Sequence, residues 1–156
     1  MKSGIVATLV LALAFPLIGA AKDGPHDKAI KARKALMQIY SFNLGILGAM
    51  AKEKVDYDAD AASAAAGNLL AAVSMNQSAM WPAGSDSETA GNAENRALPA
   101  IWDTYPKVTE AGKAMHEAAT ALNAAAGGGL DALKGAMGDA GKSCKGCHDD
   151  FRMKKE

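Results

Sequence analysis

An apolar stripe that runs straight into both cysteines is the strongest constraint on this chain. From Leu130 onward, Leu133, Met137, Gly141, Cys144, His148 and Phe151 recur at steps of three and four. That is the period of one helix face. Both cysteines lie in "GKSCKGCHDD", residues 141–150. At about 100° per residue, Cys144, Cys147 and His148 fall within roughly a quadrant to a third of the helix circumference. The sequence therefore predicts a last helix over Leu130 to about Lys155, with all three side chains on its interior side.

Three more helical segments precede it. The first runs from about His26 to Lys54, where Ile30, Met37, Leu44 and Ala51 interleave with Arg33, Tyr40 and Leu47. This is a seam of the a/d type, with Arg33 as its one charged member. The second starts after Asp58, a suitable N-cap, and carries Ala62, Ala65, Leu69, Ala72 and Val73 toward Trp81 and Pro82. Residues 82–95, "PAGSDSETAGNAEN", read as a long loop. The third spans about Leu98 to Ala126, with Pro99 suited to its first turn and Pro106 predicting a kink or late start. The run "GGG" at 127–129 ends it. Few aromatics and much alanine favour helices over strands. The expected fold is all-α, an antiparallel four-helix bundle in one domain. Gly45, Gly48, Gly135, Gly138 and Gly141 fall inside the helices. They leave room either for a flat group or for close helix packing.

Residues 1–21, "MKSGIVATLVLALAFPLIGAA", have the layout of a secretory signal peptide: a lysine, an apolar run, Pro16 and a small-residue end. The apolar run is short for a membrane span. The mature domain is expected over 22–156, exported to the periplasm, with no membrane insertion after cleavage. Lys plus Arg equal Asp plus Glu at 17 each, so nothing points to a nucleic-acid partner.

Export places the cysteines where thiols oxidise unless something captures them. A thioredoxin-like dithiol belongs at a strand-to-helix junction, and no strand pattern precedes Cys144. A structural zinc needs four ligands, and only His26 and His116 remain outside the motif. A disulfide between residues three apart closes too small a loop to stabilise much. The spacing C-x-x-C-H is the attachment signature of one covalent haem c. Cys144 and Cys147 would form the thioethers, and His148 would lie under the iron as proximal ligand. For the sixth position, His26 and His116 qualify by type only. Met37 sits on the seam one turn after Arg33 and reads as an axial thioether or as core filling. Arg33 would meet a haem propionate or snorkel to water.

With these motifs in hand, the chain resembles the class II c-type cytochromes, the cytochrome c′ family. "CKGCHDDFR" matches its C-terminal motif, and "RKALM", "YDA", "WPAG" and "IW" match in order along the mature chain. The resemblance implies an up-down-up-down bundle. It assigns Cys144, Cys147 and His148 to the haem, Arg33 to a propionate and Arg152 to the proximal side. It also puts Met37 at the distal position. In the low-spin branch of the family a methionine there binds iron. In cytochrome c′ proper that residue is apolar, and the five-coordinate iron takes NO or CO. No catalytic nucleophile or acid–base pair is evident, so the expectation is a mono-haem electron carrier rather than an enzyme, with gas binding as the alternative. The expected partners are redox proteins, with Lys142, Lys145, Arg152, Lys154 and Lys155 either steering an acidic partner or forming a solvated helix end. A second copy in a homodimer is implied by the resemblance, since dimers are common in the family, and not by any feature of the sequence.

Overall fold

The computed structural model describes residues 24–154. The expected signal peptide, 1–21, lies outside the described residues. Five α-helices follow in order: α1 (Asp27–Ala51), α2 (Ala59–Val73), the single turn α3 (Ala100–Asp103), α4 (Tyr105–Ala125) and α5 (Leu130–Phe151). No strand occurs among the described residues, only one isolated antiparallel bridge between Ala97 and Arg152.

The four long helices close into a ring in the order α1, α2, α4, α5. Their directions follow from what meets at each end. The Tyr57 hydroxyl, just before α2, donates to Ala126 O at the end of α4 and accepts from Gly129 N at the start of α5, at 2.8 and 3.0 Å. Glu53, just past α1, pairs with Lys134 of α5. One end of the bundle thus collects the end of α1, the start of α2, the end of α4 and the start of α5. Successive long helices are therefore antiparallel, as the sequence predicts.

Local chemistry sets the helix limits. Asp58 accepts from Ala61 N at 2.9 Å and caps α2. Gly129 adopts φ 111°, open to glycine and strained for other residues, and at Gly127 a Cβ would collide with Ser63 Oγ. The second segment stops at Val73, short of the expected Trp81. Asn76 Oδ1 accepts from both the amide and the hydroxyl of Ser78, and this local turn competes with helix continuation before a 3-10 turn at Ser78–Met80. The third segment is divided at Thr104, with Pro106 in the first turn of α4. There its missing N–H costs nothing.

The main core packs Leu47, Leu69, Leu122 and Leu133 with alanines from α2 and α4. A second, smaller cluster of Ala97, Ile101 and Phe151 lies at the opposite end, with Trp81, Trp102, Val108 and Cys147 packed on it. On α1 the buried face runs through Ile30, Arg33, Leu36, Asn43, Leu47 and Met50. The face is centred on the row of Arg33, Tyr40 and Leu47, and its buried flank carries Leu36, Asn43 and Met50, each three residues after a member of that row, rather than Met37, Leu44 and Ala51. Along the third segment the spacing of three and four in Ile101, Tyr105, Val108, Gly112, Met115, Ala119, Leu122 and Ala126 predicts one inner stripe, and its member Tyr105 is instead exposed at the start of α4.

Two outcomes follow. Tyr57→Phe removes both bridging hydrogen bonds and should cost about 1–3 kcal/mol, read as a lower urea midpoint. In Asp86, burial raises the carboxyl pKa but is outweighed by hydrogen bonds from Thr89 Oγ1 and from the amides of Glu88 and Thr89, so the net pKa lies below its ordinary 3.8. A depressed folded pKa stabilises above the unfolded value and loses that contribution as pH falls through the folded value. Urea midpoints taken downward from about pH 5 should therefore fall more steeply for the parent than for Asp86→Asn.

Candidate haem site

Cys144, Cys147 and His148 occupy the last two turns of α5, and all three are half-buried. Cys147 packs on the Phe151 cluster. The Cys144 thiol donates to Met115 Sδ of α4 at 3.8 Å, and the Ser143 hydroxyl reaches the same sulfur at 3.3 Å. Burial raises the pKa of both thiols; for Cys147 the neighbouring Cys144 adds to the rise and Arg152 opposes it. Both are therefore held as thiols. Burial lowers the His148 pKa below its ordinary 6.5, and the positive charges of Arg152 and Arg96 lower it further. At neutral pH the imidazole is uncharged, the form that binds a metal.

The donor set fits a haem. Both cysteines are free, and no three His, Cys, Asp or Glu side chains among the described residues converge as a metal cluster. Two thiols and an imidazole instead lie along one half-buried helix face beside apolar side chains. Thioether attachment to a flat macrocycle needs that arrangement, and a four-ligand zinc centre does not.

The register of α1 against α5 relates the two helices at this end. Gly48 and Met137 face each other, with a Cβ at Gly48 lying 3.7 Å from Met137 Cε. Stepping back along α1 and forward along antiparallel α5 by equal rises pairs Met37 with His148, and Arg33 with residue 152. Met37 is 36 % exposed, its neighbour Leu36 only 3 %.

Arg33 is 3 % exposed, so it does not snorkel. Nη1 donates to Ser85 Oγ at 2.6 Å and Met80 O at 3.3 Å. Nη2 donates to Ser85 O and to Asn95 Oδ1, the latter at 3.1 Å. The guanidinium lies 4.6 Å over the Trp81 ring. Burial lowers its pKa, the nearby Asp86 opposes this, and the group stays charged.

The remaining predicted residues divide. Arg152 is not on the helix: α5 ends at Phe151, and Arg152 is extended, exposed and bridged to Ala97. Its charge still acts on both Cys147 and His148. His116 is exposed, with Nε2 3.3 Å from Ser74 Oγ. His26 Nε2 stands 3.7 Å from where a Cβ on Gly84 would lie. Of the five helix glycines singled out in the sequence, only Gly48 has a neighbour at its Cβ position; Gly45, Gly135, Gly138 and Gly141 are exposed with nothing near theirs, so close helix packing does not account for them. Lys142 and Lys145 pair with Asp139 and Asp149 on their own helix, which weakens the expected basic patch. Helical spacing places Met115 on the inner stripe of the third segment but does not show that it meets Cys144. No local pattern marks Ser85, Asn95 or Arg96, because each is brought in by tertiary packing.

Comparison with known proteins agrees with this geometry. The family model described as Cytochrome C′ matches residues 28–152. A cytochrome c-554 from Cereibacter sphaeroides is 41% identical over 92% of this chain and 95% of its own. A cytochrome c′ from the same organism is 36% identical over 99% of this chain and 100% of its own. The solved cytochrome c′ from Rhodobacter Spheriodes superposes with a TM-score of 0.79 at 36% identity, covering 82% of this chain and 97% of that one. A matching haem-binding motif, a matching bundle and a family model spanning nearly the whole described chain lead to one conclusion: the chain belongs to the cytochrome c′ family, whose members carry covalently bound haem c.

Proposed function

We propose that this protein is a periplasmic mono-haem electron carrier of the low-spin branch, with Cys144 and Cys147 as thioether anchors and His148 and Met37 as axial ligands. The observation that carries the reading is the α1–α5 register, which brings Met37 level with His148. Haem supplies a one-electron iron couple when bound. The chain's part is to keep the ligands fixed, so that little rearranges on electron transfer, and to keep water from the ring. The neutral imidazole of His148 and the apolar wall of Trp102, Val108 and Phe151 serve those ends. Arg33 offers the carboxylate edge a fixed positive charge while its Nη groups stay bonded to the loop. Arg152 acts on the proximal side through its charge. The reading is non-enzymatic. Among the described residues no helix is long and apolar enough to cross a membrane.

One observation favours the five-coordinate, NO- or CO-binding alternative: the Met37 side chain is more than a third exposed, so its thioether is not locked by packing. Absorption spectra of the haem-loaded protein, oxidised, reduced and reduced under CO, separate the two. The electron carrier should give a low-spin reduced spectrum unmoved by CO, and Met37→Ala should convert it to a high-spin, CO-binding form. A parent that is high-spin and takes up CO would make Met37 a bystander.

A second copy is the partner that best suits the outer face of α1. Phe42 is 69 % exposed beside Ile46, Ala49 and Val55, and the polar residues lining that groove, Gln38 and Ser41, are uncharged. A neutral apolar face meets its own copy without like-charge repulsion. Phe42→Glu should shift the protein from dimer to monomer in sedimentation, leaving its spectrum unchanged.

A further inference from the structure

The loop between the 3-10 turn and α3 is tied to both helices that carry the proposed ligands. On the α1 side, Asp27 Oδ1 accepts from Ala93 N at 2.7 Å, Lys34 Nζ donates to Glu94 O at 3.0 Å, and Arg33 donates to Ser85 and Asn95. On the α5 side, Leu98 N donates to Phe151 O at 3.1 Å, Met153 N donates to Arg96 O at 2.9 Å, and Arg96 Nη2 donates to Met153 O. The two sets meet at Asn95. Its Oδ1 accepts from Arg33 Nη2 at 3.1 Å and from Ala97 N at 3.0 Å, and Ala97 is the residue that bridges Arg152. Its Nδ2 donates to Asp86 O and Ala93 O at 3.1 and 3.0 Å. Asn95 is buried, so each of these bonds is shielded from competing water.

The placement gives this junction a role beyond loop folding. Arg33 stands one turn before Met37 on α1, and Arg152 stands four residues after His148, at the end of α5. By the register above, these two arginines are level with each other, and the loop joins them through one side-chain oxygen. We propose that Asn95 is a positioning residue for the iron ligands: bonded to Arg33 and to Ala97, it holds the start of α1 and the end of α5 at the spacing that sets how closely Met37 approaches the face opposite His148. The inference rests on the His148/Met37 reading.

Asn95→Ala and Asn95→Asp in the full, haem-loaded protein test it. The first removes the shared acceptor. The second keeps the acceptor and loses the two Nδ2 donations. The readouts are the reduced spectrum, the CO association rate and the reduction potential. Asn95→Ala should raise the CO association rate about tenfold, with a high-spin fraction and a lowered potential, while haem stays covalently attached on a denaturing gel. Asn95→Asp should stay within about threefold of the parent. An Asn95→Ala rate within about threefold of the parent, with only a lower urea midpoint, would make the junction a loop scaffold and overturn the proposal. If Asn95→Ala does not fold or load haem, Asn95→Ser, whose shorter hydroxyl cannot accept from both Arg33 Nη2 and Ala97 N but keeps a polar group at the site, is judged by the same threefold limit. A parent that is high-spin and binds CO at once overturns the Met37 reading alone. The ratio of variant to parent CO rates then still decides whether Asn95 sets the helix spacing.

Discussion

The buried guanidinium of Arg33 is the contact on which one whole end of this bundle depends. A charge removed from water must recover its hydration from the protein. Arg33 does so through neutral acceptors, Ser85, Met80 O and Asn95, together with the Trp81 ring and the nearby Asp86. Those partners all come from one excursion of chain between α2 and α3. Satisfying one cation therefore fixes the path of a long connection whose regular structure is the single 3-10 turn at Ser78–Met80. Trp81, placed by that path, accepts from Trp102 Nε1 at 3.2 Å through its carbonyl and packs on the cluster that includes Phe151 and Cys147.

The two ends of the bundle are held by different physics. At the Tyr57 end, a phenol bridges the α4–α5 turn, a carboxylate caps α2, and leucines and alanines close-pack. At the other end the core is small, and polar bonding of loop to helix does much of the joining. Cys144, Cys147 and His148 lie toward that second end, with Cys147 packed on its small cluster. At that end desolvation keeps the Cys144 and Cys147 thiols and the His148 imidazole uncharged.

Much of this was legible in the residues. Asp58 as a cap, the break at Pro106, the glycine turn at 127–129 and the stripe leading to Cys144 each express a short-range rule, and each holds in the fold. The early end of α2 escaped because Asn76 competes locally with the helix, and amphipathic spacing does not register that competition. The burial of Leu36 in place of Met37 escaped because both flank the Arg33–Leu47 row, and only packing decides which flank turns inward. Close packing accounts for Gly48 and not for the four exposed helix glycines, since exposed and packed glycines look alike in a sequence.

By itself the sequence determined the all-α class, the helix faces, and the presence of two thiols and an imidazole on one of those faces. All of these depend on spacing within a single element. Only the tertiary structure decided the register of α1 against α5, where Arg33 finds its partners, and that Arg152 leaves α5 to bridge Ala97. Each of those joins residues far apart in the chain. Their meeting depends on how the helices pack, and no local periodicity carries that information.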